Sequence, residues 1–132
     1  MPTKLLLTVT ALLLGLAGLV ALFVPEVLLG ATATVPPNGL LSALLQVLGA
    51  LYFGFALVNW TARDSAFGGI YGRPIGLGNF AHFTIGALTL LKVAASGSAT
   101  PLVLGALLVY AALAAVFGWL LFVARGLPAK RG

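Results

Sequence analysis

Four long apolar stretches constrain this chain more than any other feature: Leu5 to Val24, Leu40 to Trp60, Ile75 to Ala95 and Leu102 to Ala124. Each is about 20 residues long, the length at which an α-helix crosses roughly 30 Å of hydrocarbon. The expected fold is all-α. It is an integral-membrane, up-down four-helix bundle with spans over 5–24, 40–60, 75–95 and 102–124, forming a single domain over 1–132.

The composition agrees. Hydrophobic residues make up 61% and charged residues 7% of the chain, against about 25% charged in a soluble domain. Cysteine is absent, which excludes disulfides, thiolate metal sites and cysteine nucleophiles. The net charge of +5 does not indicate nucleic acid, because the basic residues sit at span ends and form no stripe. Anionic lipid headgroups are the expected partners of that charge.

Lys4 before an apolar run, with Ala31-Thr32-Ala33 further on, has some marks of a cleaved signal peptide. The run is too long for a signal core and Ala33 lies too far beyond it, so the expectation is an uncleaved first span. Pro25-Glu26 ends that span. Pro36-Pro37-Asn38-Gly39 makes a turn in the first loop. Trp60 sits at headgroup level. Thr61 to Pro74 forms the second loop, and Pro101 suits the first turn of span four.

Lysine and arginine set the orientation. Lys4, Arg63, Arg73, Arg125, Lys130 and Arg131 fall on one side, and Lys92 on the other. Both termini and the second loop are therefore expected in the cytoplasm of a bacterium, the chain lying in its inner membrane. Small-residue pairs four apart, Ala11/Gly15, Ala17/Ala21, Ala50/Gly54 and Ala111/Ala115, are expected at helix seams or between protomers. No internal repeat supports a repeat-built transporter.

Polar residues inside the spans carry the functional information: Gln46, Asn59, Asn79, His82, Thr89 and Tyr110. Gln46 is expected to bond a neighbouring helix. Asn79, His82, Gly86 and Thr89 share one helical face. His82 lies about 10 Å deeper than Ile75, so Asn59, Asn79 and His82 form a candidate cytoplasm-side pocket, with Arg63, Asp64, Tyr71 and Arg73 of the second loop as candidate covering residues. The competing reading makes His82 an interhelical hydrogen-bonding group. Lacking a second histidine, a cysteine or a buried carboxylate, His82 does not suggest a protein-only metal site. A pigment held by His82 alone needs no second ligand. Gly68-Gly69 and Gly72 with Arg63 and Arg73 resemble an anion-binding nest, though a turn with orientation charges is the favoured reading.

Four compact spans with polar residues at one end loosely resemble DoxX-type small bacterial membrane proteins. The stretches Asn59-Trp60-Thr61-Ala62-Arg63, Gly69-Ile70-Tyr71-Gly72-Arg73-Pro74 and Asn79-Phe80-Ala81-His82-Phe83 resemble the signature of an uncharacterised bacterial family. The resemblance implies the architecture and carries over no functional residue.

The favoured function is a non-catalytic accessory or assembly subunit of a larger membrane complex or homo-oligomer. The alternative is a binder of a quinone, lipid or similar amphipathic ligand at the His82 pocket. An oligomeric transporter or channel ranks third, since the spans lack charged rings. An enzyme ranks last, because Glu26 and Asp64 are the only acids.

Overall fold

The computed structural model describes residues 2–32, 38–65 and 69–124. Ala33, Pro36-Pro37, Gly68 and the tail from Arg125, with Lys130 and Arg131, lie outside the described residues. The fold is all-α, as expected, and four helices are long and apolar enough to cross a membrane. The chain divides into two compact units, Met1–Asp64 and Ser65–Gly132.

The first unit holds α1 (Pro2–Phe23), α2 (Pro25–Thr32) and α3 (Gly39–Ala62). The chain after Pro25 was expected to be loop. It forms α2 instead, because a proline that ends one helix is pre-set for the first position of the next. Glu26 in the first turn of α2 suits the positive end of that helix. Asn38 then caps α3, its side chain accepting a hydrogen bond from the Leu41 amide, as N-cap asparagines do.

α1 and α3 pack antiparallel. The α1 seam runs through Leu7, Ala11, Leu14, Gly18 and Ala21 and on to Pro25, spaced alternately four and three apart, with Thr10 buried beside it. On α3 the half-buried Leu45 and Tyr52 alternate with the buried Gly49, Ala56 and Asn59 at the same spacing. This 3.5-residue repeat is the signature of a left-handed knobs-into-holes seam. Small residues let the backbones meet. A Cβ on Gly15 would sit 3.6 Å from that of Ala56, and one on Gly49 2.9 Å from that of Ala21.

The repeat shows which of the small residues expected at seams or between protomers lie at a seam within the unit. Ala11/Gly15 and Ala21 lie at the seam. Ala17, Ala50, Ala111 and Ala115 are exposed, and nothing lies within 4 Å of where a Gly54 Cβ would be. On α3 the seam passes through Gly49, one residue before the expected Ala50.

The second unit holds α4 (Gly72–Ala95), α5 (Pro101–Gly118) and a π-helical turn, Trp119–Val123. α4 starts before the expected Ile75, with Pro74 in its first turn, where proline costs little. Gly97, at φ 85°, ends it. The Ser96 and Gly97 amides donate to the Lys92 and Ala94 carbonyls, so the left-handed glycine closes the open end of the helix. Thr100 caps α5 by accepting from the Val103 amide, with Pro101 next in line as expected.

The α4 seam runs through Gly72, Gly76, Asn79, Phe83, Gly86 and Leu90; the α5 seam through Val103, Ala106, Tyr110, Leu113 and Phe117. By alternation the next α5 position is 120, yet Leu121 is the buried residue and packs against Gly76. The π turn inserts one extra residue and moves the seam by one.

Candidate functional site

The candidate residues divide between the two units. Asn59 and Arg63 belong to the first; Tyr71, Arg73, Asn79 and His82 belong to the second.

In the first unit Asn59 is fully buried at a seam position of α3. The register set by Gly15 against Ala56 places it level with Leu12 of α1, within a turn of Thr10. Thr10 is also fully buried, and its hydroxyl has no hydrogen-bond partner among the described residues. Exposed threonines such as Thr8 and Thr61 instead donate back to the carbonyls of Lys4 and Leu57. Gln46 donates to the Leu22 carbonyl at 3.2 Å, the interhelical bond expected of it. Leu22 is in the last turn of α1, where carbonyls lack helical partners. Gln46 thus caps the end of the neighbouring helix.

Arg63 lies just past α3. Its guanidinium stacks 3.9 Å over the Trp60 ring and donates to the Trp60 carbonyl, a cation–π arrangement. Its Nε is 3.9 Å from Asp64, but the shorter partner of Asp64 is Lys4, at 2.7 Å. Each of these charges opposes its own helix dipole, a cation starting α1 and an anion ending α3. Antiparallel packing brings the two ends together, so each charge offsets the other. The Lys4 hydrogen bond holds the Asp64 carboxyl below its ordinary value. Lost solvation opposes this, and the charges of Lys4 and Arg63 reinforce it.

In the second unit Tyr71 and Arg73 are exposed at the start of α4. His82 lies about 15 Å further along that helix, so these residues and His82 do not share one pocket wall on α4. Asn79 is fully buried at the seam, its amide donating to the Ile75 carbonyl of its own helix at 2.9 Å. Thr89, expected on the same face, is exposed and bonds Ile85.

His82 is half-buried, with Nε2 3.3 Å from the Tyr110 hydroxyl. Tyr110 either donates to Nε2 or accepts from it, depending on the imidazole tautomer. The pair rests on Phe83, which is fully buried and meets both rings at centroid distances of 4.9 and 5.1 Å, and which stacks on Phe117 at 6.0 Å. Gly86 makes room for the pair, since a Cβ there would collide with the Tyr110 ring. Because α4 begins at Gly72, His82 sits near the middle of a helix about 36 Å long. Measured from Ile75, it had been expected nearer one end.

The sequence offered a route to this pair. Reflecting position 110 through Ser98, in the short connection, lands on Gly86, one turn from His82. The Lys4–Asp64 pair follows from antiparallel α1 and α3 of similar length, but only once Pro25–Thr32 is known to be helical. Among the described residues, no three His, Cys, Asp or Glu side chains cluster to hold a metal ion. No family model, curated protein or solved structure matches the chain.

Proposed function

We propose that this multi-pass protein is a non-catalytic accessory or assembly subunit that works by packing its spans against other membrane helices, its own copies included. We place it in a bacterial inner membrane with both termini in the cytoplasm, as the lysine and arginine distribution favours. The DoxX-type resemblance remains part of this proposal.

One observation carries the reading: where the polar side chains inside the spans go. Gln46 caps the carbonyl end of α1, Asn59 and Asn79 are fully buried at seam positions, and His82 meets Tyr110 across α4 and α5. Gln46 and the His82–Tyr110 pair tie helix to helix, as polar residues do in membrane bundles, and Asn59 and Asn79 are enclosed within the seams. The outer faces are left apolar, with Leu12, Leu16, Leu51, Leu57, Leu88 and Leu108 all exposed. Such faces meet lipid or other spans.

Native mass spectrometry of the protein, released gently from its own membrane, tests this. The expected result is a defined heavier species containing other membrane proteins or several copies of the chain. A lone monomer under conditions that keep known membrane complexes intact would contradict it.

A further inference from the structure

We infer that the π turn at the end of α5 is a one-residue ratchet. Leu120 and Leu121 exchange in the socket at Gly76, and the thickness of the surrounding bilayer sets which of them fills it. The inference goes beyond the assembly reading and does not depend on it.

A backbone bond defines the turn. The Ala124 amide reaches back five residues to the Trp119 carbonyl, where an α-helix takes the carbonyl four back, that of Leu120. Rewinding Trp119–Val123 as α-helix trades one carbonyl partner for the next.

The sequence supplies the same side chain to both registers. In the π register Leu121 is buried, and its Cδ2 lies 2.9 Å from where a Gly76 Cβ would be, while Leu120 is half-buried. Wound as α-helix, the seam reaches Leu120 instead, three residues after Phe117. Gly76 has no side chain to select between two leucines.

The registers differ at Phe80. Phe122 meets its ring edge-on at 5.3 Å in the π register. In the wound register Leu121 takes that place and Phe122 turns away by about 100°. The aromatic pair favours the π register, and regular α-helical bonding favours the other. Such opposed preferences make a segment bistable.

Bilayer thickness acts on the difference in length. The π turn fits one more residue into the same height of helix, so winding it out moves the end of α5 by about 1.5 Å along its axis. Mismatch between an apolar span and the hydrocarbon is penalised in proportion to its size. A thick bilayer therefore favours the wound register and a thin one the π register.

The test is disulfide trapping in the cysteine-free chain, reconstituted in dimyristoleoyl- or dierucoylphosphatidylcholine vesicles, one thin and one thick. Gly76→Cys is paired with Leu121→Cys to report the π register and with Leu120→Cys to report the wound one. Each pair is compared with itself between the two lipids, so the effect of the substitution cancels. From thin to thick, trapping of the Leu120 pair is expected to rise about threefold relative to the Leu121 pair. Deleting Leu120 removes the extra residue, and in that background the Gly76→Cys, Leu121→Cys pair is expected to form equally in both lipids. Should Gly76→Cys fail to fold, Phe80→Cys paired with Phe122→Cys or with Leu121→Cys reads the same exchange. Trapping of the Leu121 pair alone in both lipids would overturn the inference. So would a ratio that thickness leaves unchanged, or a thickness effect of equal size after the deletion. None of these outcomes alters the mass measurement that tests the assembly reading.

Discussion

Gly18 and Gly49 meet back to back: a Cβ on Gly18 would lie 2.7 Å from the Gly49 carbonyl oxygen, and one on Gly49 2.8 Å from that of Gly18. Both obstructing atoms are backbone, so a side chain at either position has to push the helices apart. Gly49→Val is expected to destabilise the first unit by about 1–3 kcal/mol, the usual cost of overpacking. Gly54→Ala meets open space and is expected to be neutral or to stabilise by up to about 1 kcal/mol. Reversible unfolding in mixed micelles checks both. Equal effects at the two glycines would remove the close crossing.

Thr10 provides a test of opposite sign. Its hydroxyl is buried without a partner, and valine has nearly its shape without the unmet polar group. Replacing an unsatisfied polar group with an apolar isostere is neutral or stabilising. Thr10→Val is therefore expected to leave the unfolding midpoint unchanged or raise it. A clear drop would mean that the hydroxyl is bonded in the membrane.

The Lys4–Asp64 pair predicts a specific pH response. A carboxyl held below its ordinary value of 3.8 contributes its stabilisation above that value and loses it as pH falls through the lower folded value. Stability of the first unit should be flat from about pH 5 upward and fall only in stronger acid. The effect is small, because both side chains are exposed and screened by solvent. Asp64→Asn should flatten the acid limb. An unchanged acid limb in that variant would assign it to another group.

The π turn makes a prediction about chain length. Leu121 occupies the seam place that alternation gives to position 120, so the turn behaves as a one-residue insertion. Deleting Leu120 should let the segment wind as α-helix with a leucine still against Gly76, keeping the midpoint within a few degrees of the parent. Deleting Leu108, inside regular α5, rotates the rest of the helix off its seam and should cost far more. Similar losses in the two deletions would contradict this account.

The class of fold was plain from the sequence because span length and lack of charge are set by the bilayer itself. Local signals at Asn38, Gly97, Thr100 and Pro101 also translated directly, since caps and turns depend on the residues at hand. Which small residues form seams was less legible. Glycine and alanine are common along the whole chain, and a shift of one residue separates the buried Gly49 from the exposed Ala50. Gln46 was foreseen because an amide in hydrocarbon needs a partner. The His82–Tyr110 contact is less legible, because it depends on the register of α4 against α5, which the short connection around Ser98 sets only to within about a turn.

Four crossings of the membrane put successive connections on opposite sides, and the cysteine-free sequence makes that directly measurable. Single cysteines placed at Ser65 and Ser98, between successive spans, would be probed in intact cells with a membrane-impermeant maleimide. The account predicts labelling of Ser98→Cys from outside, and of Ser65→Cys only after permeabilisation. Equal labelling of both sites in intact cells, or the reverse order, would contradict it.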